Sequence, residues 1–266
     1  MRRKILIALL VIVVLLAGAG LYLRNGFYGN CVPEQRSLYV RTGSEYRVLE
    51  DSLKSAIVHR PFFRLYARRI DLDQSFKPGH YVLKEGMNVI EVARMLKLGL
   101  QTPVRVTINN VRTPAQLAGK LARQIEADSA AIVSVLTDPA AAREAGFDSV
   151  TLFSMFIPDT YEFYWTVTPA QFVERMRREY DRFWTPERDA KLRRSGLSRL
   201  EAMTLASIVY EETRKSDEMP RIAGVYINRL RKGWPLQADP TVKYALQDFG
   251  LRRILHKHLK YPSPYN

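Results

Sequence analysis

Two adjacent carboxylates, Glu211 and Glu212, end the stretch of the chain best suited to acid–base chemistry. The stretch begins at Ser198 with a capping box, because Glu201 stands three residues after the serine. No Gly or Pro interrupts the run that follows, so a helix of about four turns is predicted. At about 100° per residue, Glu212 falls on an apolar face of that helix. The other members of this face are Leu205, Ile208 and Val209.

The two carboxylates are predicted to have different surroundings. Glu211 shares a face with Thr204 and Ser207, and Lys215 stands four residues further on as a surface ion-pair partner. Because burial disfavours a charged carboxylate, Glu212 is the one expected to keep a proton near neutral pH. The spacing also fits a plainer alternative, in which Glu212 merely ends an amphipathic helix and is solvated there.

The N-terminus has the pattern of a membrane anchor. Residues 1–4 are Met-Arg-Arg-Lys, and 19 uncharged, mostly apolar residues follow from Ile5 to Leu23. As a helix this run rises about 28 Å, close to the hydrocarbon thickness of a bilayer. The basic residues should stay in the cytoplasm, so a single-pass anchor at 1–24 would hold the rest of the chain outside the plasma (inner) membrane. The small residues at 17–19 leave a cleaved signal peptide as the alternative.

Composition limits the kinds of partner. The 266 residues allow one large or two modest domains, and 47% of them are apolar, enough to build cores. Cys31 is the only cysteine, so the fold cannot depend on an internal disulfide. The formal charge of +14 would ordinarily suggest nucleic acid as a partner. Export through a membrane argues against nucleic acid and favours anionic lipid headgroups or an acidic wall polymer.

After a juxtamembrane linker at 25–36, residues 37–105 are predicted to form a small α+β module. Its order of elements is similar to that of the LysM-type sugar-binding modules. A helical connecting region at 106–150 follows, in which Thr113 is expected to cap a helix that begins with Pro114. The predicted strands are Ser37–Arg41, Tyr81–Leu83 and Arg105–Ile108, and the predicted helices are Tyr46–His59, one from Pro61, and Met87–Leu98.

Two further segments carry polar side chains near aromatic or apolar ones. Phe156–Phe163 is predicted to be an aromatic loop that could stack on sugar rings, or equally an edge of the core with Asp159 capping a turn. After a predicted helix at Pro220–Arg231, Asp239 precedes a proline and should therefore be extended and cap a short helix. No phosphate-binding glycine loop, nucleophile elbow or metal site is predicted, and no cofactor is expected.

Four motifs in order resemble the MltG/YceG-like endolytic murein transglycosylases. They are Phe156-Ile-Pro-Asp-Thr-Tyr161, Ala206-Ser-Ile-Val-Tyr-Glu-Glu-Thr213, Val225-Tyr-Ile-Asn-Arg-Leu230 and Leu236-Gln-Ala-Asp-Pro-Thr-Val242. The family pattern around the acid is Ala-Ser-Ile-Val-Glu-x-Glu-Thr, and its catalytic second Glu corresponds to Glu212. Tyr210 stands where the family often has its first Glu. The resemblance implies a mostly helical catalytic domain with a small sheet at 151–266, within an α+β protein.

The resemblance also implies a reaction, that of a lyase acting on polysaccharide. It is cleavage of the β-1,4 bond from N-acetylmuramic acid to N-acetylglucosamine, leaving a 1,6-anhydro end. One carboxyl group suffices, because Glu212 gives a proton to the leaving oxygen and then takes one from the C6 hydroxyl. The residues expected to line the cleft and bind substrate are Asp159, Thr160, Tyr161, Glu162, Asn228, Arg229, Gln237 and Asp239.

Relatives continue past Ser263–Asn266, so the resemblance implies that the C-terminal part of the catalytic domain is missing. It implies peptidoglycan strands, the membrane and penicillin-binding glycan synthases as partners. A rival hypothesis is a membrane-anchored, non-catalytic peptidoglycan-binding or scaffold protein in which the LysM-like module does the work. A conventional hydrolase, which would leave reducing ends, is the third.

Overall fold

Helices dominate the computed structural model, which describes residues 2–263, and short strands form two small sheets. The predicted α+β class is therefore confirmed. Met1 and residues 264–266, which fall in the predicted anchor and catalytic domain, lie outside the described residues. The strands are β1 Arg36–Val40, β2 Gly79–Leu83, β3 Val104–Ile108 and β4 Asp159–Phe163. The helices are α1 Arg2–Tyr28, α2 Tyr46–Leu53, α3 Arg60–Arg69, α4 Leu72–Ser75, α5 Val89–Leu98, α6 Pro114–Leu121, α7 Ser129–Leu136, α8 Pro139–Glu144, α9 Pro169–Phe183, α10 Pro186–Ser195, α11 Arg199–Glu212, α12 Met219–Arg231 and α13 Asp239–Leu246, with a 3₁₀ turn at Leu152–Met155.

Helix α1 contains the predicted apolar run. Its segment Arg3–Tyr28 contains an 18-residue window with a mean hydropathy of 2.9 and is long and apolar enough to cross a membrane. The helix continues beyond Leu23, and at its end the N–H of Gly29 donates to the carbonyl of Asn25. Side chains of the apolar run lie exposed rather than packed into a protein core. These properties are compatible with a membrane anchor.

Residues 36–98 pack around one apolar core. Strands β1 and β2 pair antiparallel, with Leu38 opposite Tyr81, and both side chains are buried. Helix α5 has the predicted buried row of Val89, Val92, Ala93 and Leu96, and the chain leaves it through Gly99 in the left-handed region at φ 69°. The long helix predicted at Tyr46–His59 instead ends at Leu53. The N–H of Val58 bonds to the carbonyl of Cys31 and not to a helical carbonyl.

The second sheet corrects the loop predicted at Phe156–Phe163. The second half of the predicted loop is strand β4, which pairs antiparallel with β3 so that Tyr161 lies opposite Val106. Tyr161 and Phe163 are buried, whereas Glu162 between them is exposed, as the two-residue period of a half-buried strand requires. The predicted cap at Thr113 is confirmed, because its hydroxyl accepts from the N–H of Gln116 at 3.2 Å.

The chain divides into two compact units that are discontinuous in sequence. The first contains the residues up to Ser149 together with Pro158–Arg175, and so holds both sheets. The second contains Val150–Ile157 and the residues from Met176 onward. In its described part this second unit is helical, and the strand that falls within the predicted catalytic domain, β4, pairs with β3 inside the first unit.

Candidate active site

Local sequence determines where helix α11 begins and ends. The N–H of Glu201 donates to the Ser198 hydroxyl at 3.2 Å, and the Ser198 N–H donates to the Glu201 carboxylate at 2.7 Å. The predicted capping box is therefore confirmed. At the other end Glu212 is the last helical residue, since Thr213 is extended at φ −145° and ψ 149°.

The apolar face predicted for α11 forms the core of the second unit. Leu205, Ile208 and Val209 are buried and cluster with Tyr226 of α12 and with Ala238. Partly buried apolar side chains surround this cluster, and they are Leu197, Met219, Ile222, Ala223, Ile227 and Leu236. The packing fixes α11 against α12, and so places the carboxyl end of α11 beside the middle of α12.

Glu212 lies at the solvent end of this apolar face. The hydroxyl of Tyr226 donates to Glu212 Oε1 at 2.9 Å, and Tyr226 is itself buried, with 7% of its surface exposed. Glu212 is exposed, so the prediction that aliphatic neighbours would bury it is wrong. The reason is that α11 stops at this residue: Leu205, Ile208 and Val209 belong to earlier turns, and no later helical turn covers the carboxylate.

Tyr226 is the residue of this site that the sequence analysis missed. Burial, followed by the hydrogen bond and the charge of Glu212, raises its pKa to about 12. The phenol therefore stays protonated at neutral pH and remains a hydrogen-bond donor to the carboxylate. A signal was available, because a tyrosine on the apolar face of a helix needs a partner for its hydroxyl.

Glu211 is less exposed than its neighbour, the reverse of the prediction. Its side chain is 26% exposed, and its carboxylate lies 3.9 Å from the guanidinium of Arg214. Lys215, the partner predicted for Glu211, instead binds Glu218 at 3.0 Å. Because α11 ends at Glu212 and Thr213 is extended, Lys215 does not occupy the position that a continued helix would give it.

Two of the candidate binding residues on the segments of α12 and α13, Arg229 and Asp239, lie close enough to Tyr226 to act on its hydroxyl. The charges of Arg229 and Asp239 act on its phenol in opposite directions, Arg229 lowering the pKa and Asp239 raising it. Arg229 also donates to the carbonyl of Leu236 and so fastens the loop before α13. Asn228 and Gln237 are exposed on the same two segments.

Asp239 does not have the predicted extended conformation or capping role. It is the first residue of α13, and Ala238 occupies the N-cap position without a side-chain cap. The extended residue is instead Ala238, one position earlier than the proline rule predicts, at φ −89° and ψ 126°, and Gln237 before it is left-handed at φ 47°. The carboxylate of Asp239 is consequently left exposed on the first turn of the helix.

The other four candidate binding residues lie on β4, in the first unit. Tyr161 is buried beneath the sheet, and Thr160 shares a hydrogen bond of 2.8 Å with Thr107 on β3. Asp159 and Glu162 are exposed, and the Asp159 carboxylate accepts from the N–H of Thr160 at 2.6 Å. Tyr161 therefore acts as a core residue of its sheet, and the exposed carboxylates are the members of this group that a ligand can reach.

Replacing Tyr226 by Phe should test the hydrogen bond to Glu212. We expect a loss of about 1 kcal/mol in the free energy of unfolding at pH 7, from the missing hydrogen bond. Because the folded-state pKa of Tyr226 is raised, its contribution is complete below pH 10 and is lost as the pH rises through about 12. The difference between wild type and variant should therefore shrink across that window in urea unfolding.

Tyr210→Phe is the matched control, since Tyr210 is 39% exposed and its ring packs under Arg214 at 4.1 Å. That ring contact survives the substitution, so unfolding should be unchanged at every pH. Equal losses in the two variants would contradict a specific role for the Tyr226 hydroxyl.

Comparison with known proteins places this chain in a family. The sequence model of the YceG-like family matches residues 38–266. A protein of Bacillus subtilis (strain 168) named endolytic murein transglycosylase is 26% identical over 206 residues, covering 72% of this chain and 57% of that protein. One of the same name from Streptococcus pneumoniae serotype 2 is 24% identical over 258 residues, covering 84% and 46%. The chain thus spans about half the length of the curated relatives it matches.

A solved structure supports the fold. The 2.6 Å crystal structure of a yceG-like protein from Listeria monocytogenes superposes with a TM-score of 0.56 at 24% identity, covering 88% of this chain and 82% of that one. The family match includes α11, α12 and α13, which carry Glu212, Tyr226 and Asp239. From the family match, which spans most of its length, the chain belongs to the YceG-like family.

Proposed function

We propose that this protein is an endolytic peptidoglycan lytic transglycosylase with Glu212 as its acid and base. Membership of the YceG-like family and relatives named endolytic murein transglycosylase support this class of activity. We propose Glu212 as the acid because the hydroxyl of the buried Tyr226 donates a hydrogen bond to Glu212 Oε1 at 2.9 Å. It holds a solvent-accessible carboxyl group in a defined orientation, which general acid catalysis needs.

The proposed reaction uses one carboxyl group twice. Protonated Glu212 gives its proton to the glycosidic oxygen as the bond between that oxygen and C1 of the N-acetylmuramic acid breaks. The resulting carboxylate then takes the proton of the C6 hydroxyl of the same sugar while that oxygen bonds to C1. The ring closure yields the 1,6-anhydro end without attack by water, so a second carboxylate is not required, in contrast to hydrolytic glycosidases.

Exposure of Glu212 fits a polymeric substrate. A glycan strand is a long ligand that must approach from the side, and a carboxylate at the end of α11 is open to such an approach. A strand bound over Glu212 would replace solvent with sugar and exclude water from the reacting atoms. The Tyr226 hydroxyl, kept protonated by burial, would continue to orient the carboxyl group during both proton transfers.

We assign substrate binding to the polar side chains near the acid. Asn228, Arg229, Gln237 and Asp239 lie on the segments that flank Tyr226, and their donors and acceptors suit sugar hydroxyl and acetamido groups. On β4 of the first unit we also propose Asp159, Thr160, Tyr161 and Glu162 as binding residues, with the exposed carboxylates of Asp159 and Glu162 as the hydrogen-bond acceptors and the buried Tyr161 ring supporting the strand.

The remaining chain would hold this activity at the cell wall. We propose that α1 anchors the protein in the plasma membrane with the N-terminus in the cytoplasm and the catalytic domain outside. Residues 37–105, which contain most of the apolar core of the first unit, would act as a LysM-like glycan-binding module. Penicillin-binding glycan synthases, which extend the strands that the enzyme cuts, are the proposed protein partners.

A second candidate is a wall-binding protein without catalysis, and one feature of the first unit favours it. Tyr39 is 51% exposed, its ring stacks on His80 at 4.6 Å between centroids, and Trp165 meets it edge-on at 5.2 Å. Rings fixed in this way are suited to stacking against sugars. This feature would retain a strand even if Glu212 took no part in chemistry.

Mass spectrometry of glycan ends distinguishes these functions. The complete natural protein is incubated with purified peptidoglycan strands, and the released fragments are analysed. We expect internal cleavage with new 1,6-anhydro ends. New reducing ends would instead assign the protein to the hydrolases, and strand retention without release of fragments would support the binding protein.

A further inference from the structure

Helix α3 has two faces of opposite character. Phe62, Phe63 and Ala67 point into the core of the first unit and are buried. On the opposite face Arg60, Arg64 and Arg68 follow one another at intervals of four residues, and all three are exposed. This spacing aligns them on one ridge of the helix, called here the α3 ridge.

Two of the three arginines of the α3 ridge lack an ion-pair partner within the described residues. Helix α3 contains four arginines and no acidic residue, and Arg69 is also exposed. Arg64 is ion-paired with Glu50 of α2. Arg60 and Arg68 have no ion pair within the described residues. Leu65 lies beside the ridge with 59% of its surface exposed, so this face combines basic and apolar groups, as helices at membrane surfaces do.

Helix α3 is packed directly on the end of the apolar helix. The ring of Phe62 meets Tyr22 at 5.2 Å and Phe27 at 5.1 Å, both edge-on. Gly26 permits this approach, because a Cβ atom there would lie 2.4 Å from the Phe62 ring. The first turn of α3 is thus fixed at the level where the apolar run gives way to Arg24 and the residues that follow.

We propose that the exposed face of α3 is a membrane-contact surface that binds anionic phospholipid headgroups. The proposal rests on the proposed role of α1 as a membrane anchor. If Leu23 ends the membrane-spanning run, Tyr22 lies at the headgroup level, where tyrosines are enriched. Phe62 then holds the start of the ridge at that level, within the screening length of the lipid phosphates. Leu65 would insert between the headgroups.

The chain offers a direct probe of this contact. Its one cysteine, Cys31, is fully buried, and burial raises its thiol pKa to about 11, so it should resist labelling at neutral pH. Leu65→Cys therefore provides a single reactive thiol for an environment-sensitive fluorophore. The labelled full chain is placed in nanodiscs of phosphatidylcholine alone or with phosphatidylglycerol, and co-elution with the discs reports on the anchor.

We expect the label to shift to the blue and brighten about twofold in the anionic discs, and to lose this response in high salt. Changing the ridge to glutamine with R60Q, R64Q and R68Q should abolish the response. The matched control removes the same charge from exposed arginines elsewhere in the first unit, with R105Q, R123Q and R143Q, and should leave the response intact.

Four results would overturn the proposal. An equal label response in both kinds of disc, or the same response from both triple variants, would exclude specific contact between the ridge and anionic lipid. A response only to added soluble poly(glycerol phosphate) would assign the ridge to a wall polymer. Failure of the chain to enter discs would remove the anchor on which the proposal rests. Glycan cleavage measured on the same sample tests the proposed enzymatic function separately, because loss of the lipid contact should leave that cleavage unchanged.

Discussion

Replacing Glu212 by Gln is expected to lower the formation of 1,6-anhydro ends by a factor of about 10² to 10⁴, the usual contribution of general acid–base catalysis. An amide keeps the shape of the side chain and can still accept from the Tyr226 hydroxyl, but it cannot supply a proton to the leaving oxygen. Because Glu212 is exposed, the free energy of unfolding should change by no more than about 0.5 kcal/mol.

Glu211→Gln is the matched control for this substitution. It makes the same chemical change one residue earlier, at a carboxylate whose described ion pair is with Arg214 on the surface of the second unit. Anhydro-end formation should stay within about twofold of wild type. Products at wild-type level from the Glu212 variant, with the Glu211 variant inactive, would move the acid to Glu211. Full activity in both would remove this helix end from the mechanism.

Replacing Phe63 by Ala should give the largest loss of stability among single changes in the first unit that we consider. The ring is 2% exposed and lies in the apolar core to which α3 and α5 both contribute. Removing it eliminates the burial of an aromatic side chain and leaves a cavity, which together cost about 3–5 kcal/mol. A loss of that size is a large part of the total of about 5–15 kcal/mol typical of a folded domain.

The loss is best measured by hydrogen exchange of the α5 amides in the nanodisc-bound chain, since α5 belongs to the same core. Val48→Ala on α2 is the control in the same unit, because Val48 is 54% exposed and lies outside the proposed lipid-binding face, and it should change stability by about 0.5 kcal/mol or less. Similar exchange in both variants would show that the Phe63 ring contributes little to this core.

Local signals explain the elements that were predicted correctly. The capping box at Ser198 and Glu201, the cap at Thr113 and the buried row of α5 each depend on residues a few positions apart. Such contacts form within one or two helical turns, so the sequence contains them completely. The long apolar run of α1 can also be predicted from the sequence, because its length and composition alone define it.

Strand β4 was not predicted, because the residues of this segment alone do not identify it as a strand. Phe156–Phe163 contains a proline, polar residues and aromatics, and by itself resembles a loop. Its second half becomes a strand because β3, about fifty residues earlier in the chain, supplies the hydrogen-bonding partner, with Val106 opposite Tyr161. The alternation from Thr160 to Phe163 was a valid but weak signal, as four residues define a period poorly.

For the site itself, the sequence determined which carboxyl group ends the apolar face of α11 and which motifs accompany it. Only the tertiary structure decided how exposed Glu212 is and that Tyr226, fourteen residues away, holds it. The physical reason is that the helical period determines only the direction in which each side chain points around the axis of its own helix. Where α11 stops relative to α12, and therefore what covers its last residue, depends on how the two helices pack.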